Sequence, residues 1–313
     1  MILKKHHLLF IMIVIIIPSS ATSDDSLDFI RSYLTQSYHK LLHSIDDKVK
    51  CEKSCKILEK NNIEHNNLQL ITSFKTSQNN HIQFSLNLRG HIYLPKISKK
   101  LELTFSKESN EYIHNKQTEY ENENLVTDEN VRVGLRYYFS RDEEYRFYTK
   151  LGFKIHSPFG FYQALSIEKD FSYAYNIHSN SNITLYYFFY HSYFAKSGQL
   201  VFYKPINFSF LLEQRNKIYT NHDNHHNTHI KNDIKLYYTY NKNNILTYRI
   251  TYATADKTNK HFYKDWQGMS LGYIHYLKKW FYINTIPHLV QRRENHFKTE
   301  FALTVNIGLK LGL

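Results

Sequence analysis

Several residue types are scarce in this chain. Its 313 residues include two cysteines, nine glycines, five prolines, three methionines and two tryptophans. So little glycine and proline excludes a collagen-like or Gly/Pro-rich disordered chain, and two cysteines are too few for a disulfide-built scaffold. Long apolar runs are missing too. The one continuous stretch, Leu8 to Ile17, spans roughly ten residues where a membrane-crossing helix needs roughly 20. A helical membrane protein is thereby excluded. Acidic residues are in deficit, 28 against 40 Lys and Arg, for a formal charge of +12. Aromatic residues are plentiful, with 27 tyrosines and 21 phenylalanines, more than a disordered chain carries.

The short apolar run has the setting of an export signal. Lys4, Lys5, His6 and His7 precede it, and Pro18, Ser19, Ser20 and Ala21 follow. The small residues at 19 and 21 predict cleavage after Ala21, so residues 1–21 are set apart from the fold. Taking Lys4 and Lys5 from the 40 basic residues leaves 38 against 28 acidic, a mature charge of +10. Such a balance often signals nucleic acid or an anionic membrane, and export excludes nucleic acid as the expected partner. Cys51 and Cys55 would form one local disulfide in an oxidising compartment. Their spacing is neither the redox C-x-x-C nor the haem-attachment motif.

Residues 22–67 read as a periplasmic leader. Leu27, Ile30, Leu34, Tyr38, Leu41, Leu42, Ile45 and Val49 recur at helical spacing over 26–50. Asp24 and Asp25 before them, and Lys48 and Lys50 at the end, suit the two helix termini. A lone helix of this size is marginal in water, so its apolar stripe calls for a periplasmic partner or the rest of the chain. The Asn-rich stretch 59–67 reads as a linker.

From Leu68 to the last residue the period changes to two. Phe301, Leu303, Val305, Ile307, Leu309 and Leu311 alternate with Ala302, Thr304, Asn306, Gly308, Lys310 and Gly312. The same pattern recurs at Ile82 to Leu88, Val131 to Phe139, Phe147 to Ile155, Leu236 to Tyr240 and Leu246 to Tyr252. Strands of about ten residues are what a tilted membrane strand requires. Tight polar links at 95–100, 141–144, 241–244 and 277–279 contrast with longer loops at 107–128, 220–231 and 256–265, as in barrels with short periplasmic turns and long outer loops. The expected fold is all-β: a transmembrane antiparallel β-barrel of about 14 strands over 68–313, preceded by one short periplasmic α-helix. Twelve strands would result if the weak strand near 198 merges with a neighbour or the first lies outside the barrel.

With its export signal, leader and strands running to the terminus, the chain resembles Gram-negative outer-membrane β-barrel proteins. Leu94 to Phe105, L-P-K-I-S-K-K-L-E-L-T-F, is similar to a hairpin in a group of uncharacterised proteobacterial barrels. The resemblance implies a location in the cell outer membrane with both ends periplasmic. It also implies outer-membrane lipid, lipopolysaccharide and the barrel-assembly machinery as partners.

If the apolar face looks outward, Arg89, Arg132, Arg136, Arg146, Lys150, Lys154, Arg249 and Lys298 line the interior, with Lys235 and Lys310, against Glu102, Glu213 and Glu300. A basic lumen with low-dielectric walls concentrates its field on anions, which predicts a passive pore preferring anionic solutes. The alternative is a filled interior in which these side chains pair with acids. His222, His225, His226 and His229 have spacings that could share a zinc, nickel or copper ion. The absence of cysteine or a helical frame around them favours a solvated loop. The acidic stretch from Glu108 to Glu129 lacks calcium-loop spacing. No G-x-S-x-G or other nucleophile motif is present; a barrel-embedded hydrolase of lipid or peptide is the alternative class, and an assembly protein using its helix is a third. No cofactor is expected.

Overall fold

Residues that alternate apolar and polar have one way to satisfy both halves, which is a pleated strand with a greasy face and a wet one. Fourteen such strands form in the computed structural model, which describes residues 32, 36, 67–77, 80–93, 100–107, 131–142, 144–154, 160–189, 192–221, 228–256, 263–293 and 296–311. They are β1 (Asn67–Ser77), β2 (Asn80–Tyr93), β3 (Leu101–Lys107), β4 (Val131–Arg141), β5 (Tyr145–Lys154), β6 (Gly160–Tyr173), β7 (Ile177–Phe188), β8 (Tyr193–Pro205), β9 (Phe210–Asn221), β10 (Thr228–Asn241), β11 (Asn244–Asp256), β12 (Tyr263–Lys278), β13 (Phe281–Arg292) and β14 (Thr299–Leu311). Each pairs antiparallel with its sequence neighbours, and β1 closes on β14 from Leu68 opposite Leu311 to Ser77 opposite Ala302. Closure leaves no sheet edge unpaired, the condition for crossing a bilayer with strands. The expected 14 strands are therefore present, and the alternative of 12 is excluded.

The chain divides into two units, Met1–Lys50 and Cys51–Leu313, and the barrel belongs to the second. Within the first, Ser32 and Gln36 are helical and exposed, four residues apart and both polar, as on the wet side of the expected helix. The signal segment, the other leader positions and both cysteines lie outside the described residues.

Link lengths alternate over most of the barrel. On one side, links after β4, β6, β8, β10 and β12 run two to four residues, with 94–100 the longest at seven. On the other side, 108–130 joins β3 to β4 and 222–227, 257–262 and 293–298 are six residues each, while 78–79, 155–159 and 189–192 are short. An even strand number returns the chain to the side it left, the periplasmic one by link length.

The register shows which face meets which medium. Ile234, Ile250, Met269, Leu289 and Phe301 are successive partners across β10 to β14, and all are 42–48% exposed. One residue along, Lys235, Arg249, Ser270, His288 and Ala302 form the adjacent row, all 2–4% exposed. Large apolar side chains outside and charges inside is the reverse of a soluble sandwich. A continuous apolar belt of this kind is stable against acyl chains and not against water. The protein is an integral membrane β-barrel.

Two inward glycines receive neighbouring tyrosines. Gly152 lies opposite Tyr162 and Gly308 opposite Tyr282, and a Cβ on either glycine would collide with the facing ring. Both rings are buried, laid against the wall where the missing side chain leaves room.

Candidate conduit lining

Buried charges need partners, because an ion removed from water without compensation costs several kcal/mol. The interior supplies them in two arcs. In the first, β3 to β7, Glu102 accepts from the Tyr138 hydroxyl at 2.8 Å and from Arg136 Nη1 at 3.2 Å, and His91 Nδ1 lies 3.5 Å from its other oxygen. The Arg136 guanidinium stands 4.8 Å from the centre of the Tyr148 ring. Nearer the periplasmic end, Arg146 donates to Glu168 at 2.7 Å and also to Asp170, while Asn180 donates to both carboxylates.

The second arc is β9 to β11. Glu213 pairs with Arg215 at 2.9 Å and Lys235 at 3.6 Å and accepts from the Tyr237 hydroxyl at 2.8 Å. Asp233 holds Arg249 through Nε and Nη2 at 3.0 and 2.9 Å, accepts from Thr251, and has Lys231 Nζ at 3.5 Å. Alternation places Lys217 and Lys231 on this same face. The described inner wall of β9 to β11 thus carries Arg215, Lys217, Lys231, Lys235 and Arg249 against Glu213 and Asp233, five positive groups to two negative.

The expected lining residues distribute as follows. Arg136, Lys150 and Arg249 are buried, Arg146 is half-buried between its two acids, and Arg89 is half-buried opposite Gln69. Arg136 faces Lys150 across β4 and β5, and Lys235 faces Arg249, so cation stands opposite cation. Arg132 and Lys154 are likewise register partners. Lys298 precedes β14 and is exposed. His296 and Phe297 have φ of 52° and 58°, which turns the chain and ends the two-residue period before Lys298. His229 is exposed at the start of β10, while His222, His225 and His226 lie outside the described residues.

Among the described residues, interior charges that escaped the sequence reading include Lys75, Glu168, Asp170, Arg215, Lys217, Lys231 and Asp233. Glu168 alternates with Ile167 and Leu165 and was legible in principle. Around Arg215 the outward positions are Gln214 and Asn216, so no apolar stripe marks which face is which.

For hydrolytic chemistry, the interior offers His288 Nε2 at 3.0 Å from Thr304 Oγ1, both buried. His288 Nδ1 has no hydrogen-bond partner, so no acid or amide orients the ring. At the periplasmic mouth, Ser172 Oγ lies 3.2 Å from His178 Nδ1, both exposed. Among the described residues, neither pair shows the third member that a nucleophile–base relay uses.

No protein-family model and no curated protein matches the chain. Solved structures similar to it include the outer membrane channel DcaP of Acinetobacter baumannii, at 6% identity over 79% of this chain and 96% of that one, TM-score 0.47. They also include outer-membrane expressed OmpT of Vibrio cholerae, at 7% over 78% and 96%, TM-score 0.45. A third is the KdgM porin in complex with disordered oligogalacturonate, at 7% over 77% and 98%, TM-score 0.38. What those proteins carry is theirs; the barrel assignment here stands on this chain's own register and outer belt.

Proposed function

We propose that the protein is a passive outer-membrane conduit whose interior prefers anionic solutes. The observation that carries this reading is the excess of five cations over two acids on the inner wall of β9 to β11. Pairing neutralises part of that wall and fixes its geometry, and the surplus positive charge is left to act on permeating ions in a low-dielectric cylinder. The opposed cations Arg136 with Lys150 and Lys235 with Arg249 are tolerated because Glu102, Glu213 and Asp233 stand beside them. Lipid and lipopolysaccharide would surround the outer belt, and the barrel-assembly machinery would insert it. A periplasmic protein is the proposed partner for the leader helix. The test is ion selectivity of the refolded protein in a planar bilayer under a salt gradient. The expected reversal potential has the sign of anion preference; cation preference, or no conductance, overturns the proposal.

A further inference from the structure

One stretch of the inner wall, at β13 and β14, carries no charge pair and leaves its polar groups unmatched. Asn284 and Asn306 are direct register partners, both 0% exposed, and neither carboxamide makes a hydrogen bond through its oxygen or its nitrogen. His288, 2% exposed and four residues along β13, bonds Thr304 through Nε2 and leaves Nδ1 without a partner. Four polar atoms on two facing residues thus have nothing to satisfy them, although buried amides in folded proteins are nearly always matched by protein, water or ligand.

The flanks are simple. Along the row, Ile274 lies beside Asn284 and Ser73 beside Asn306; the preceding row is Tyr282 with Gly308, and the following row is Ile286 with Thr304, which has Lys75 beside it on β1. No acid stands among them, so a metal cation lacks the oxyanion ligands it would need. A bare anion would take the two Nδ2 donors and face two carbonyl oxygens. A hydroxyl group both donates and accepts, and it is the smallest group that reciprocates both halves of a carboxamide.

We propose that the facing carboxamides of Asn284 and Asn306 form a binding station for hydroxyl groups on the inner wall, those of ordered water or of a polyhydroxylated solute. The station stands on the barrel register and goes beyond the ion preference, so either can fail without the other. Both carboxamides are fully covered in this structure.

Crystals of the full chain refolded in detergent, at a resolution that shows water, test this directly, one set grown without sugar and one soaked in arabinose. The expected result is density within hydrogen-bond distance of both carboxamides. Water in both sets assigns the station to hydration, and a sugar hydroxyl in the soaked set assigns it to solute. Carboxamides bonded to each other or to the main chain in both sets, with nothing between, overturn the proposal.

Discussion

Asp233 accepts from Arg249 and Thr251 and has the Lys231 ammonium close by, all inside the barrel wall. Asp233→Asn keeps the size and removes the charge that all three answer to. The expected cost is about 3–5 kcal/mol, the range for stripping one partner from a buried ion pair, read as a lower midpoint in urea unfolding. The same change adds net positive charge to the β9 to β11 wall, so whatever protein folds should show stronger anion preference in the bilayer. Lys298→Ala is the contrasting case: an exposed side chain outside the strands, for which a change within about 0.5 kcal/mol is expected. The opposite order of the two effects would place the interior on the wrong face.

At the scale of strands, legibility followed the outer stripe. β4 from Val131 to Phe139, β11 from Leu246 to Tyr252 and β14 from Phe301 to Leu311 keep large apolar side chains at successive outward positions and were readable to within a residue or three. β7 begins at Ile177, earlier than its alternation announces, because Ser179 and Ser181 hold the outward positions before Ile183. β8 begins at Tyr193, but Lys196 and Gly198 interrupt its outward stripe. The Gly308–Tyr282 seat was invisible for another reason: two residues 26 positions apart become neighbours only once the register of β13 on β14 is known. That seat has a measurable consequence. Gly308→Val drives a side chain into the Tyr282 ring, an overpacking expected to cost about 1–3 kcal/mol. Heat-dependent gel mobility should then show the folded form lost at lower temperature than in the unaltered protein. Relief by a second change, Tyr282→Ala, would tie the effect to the ring.

For the whole molecule, the fold was legible because a membrane barrel obeys one rule along its entire length, and that rule is written in local sequence. The site was legible only in part. Arg136, Lys150 and Arg249 follow from alternation, but the acids that hold Arg136 and Arg249 come from other strands, and which acid meets which cation is fixed by register and closure. The Asn284–Asn306 pair has no sequence signature at all; each is one of many asparagines until β13 lies against β14.

The central claim is that alternate residues face lipid and interior, and β7 offers the most direct measurement. Nitroxide spin labels placed one at a time at Asn182, Ile183, Thr184 and Leu185, in protein reconstituted into lipid vesicles, report collisions with oxygen, which concentrates in acyl chains, and with a water-soluble nickel chelate. Labels replacing Ile183 and Leu185 are expected to collide with oxygen and be shielded from nickel, while those replacing Asn182 and Thr184 are expected to be shielded from lipid-borne oxygen. High nickel access at Ile183 and Leu185, or no alternation between adjacent positions, would contradict the account.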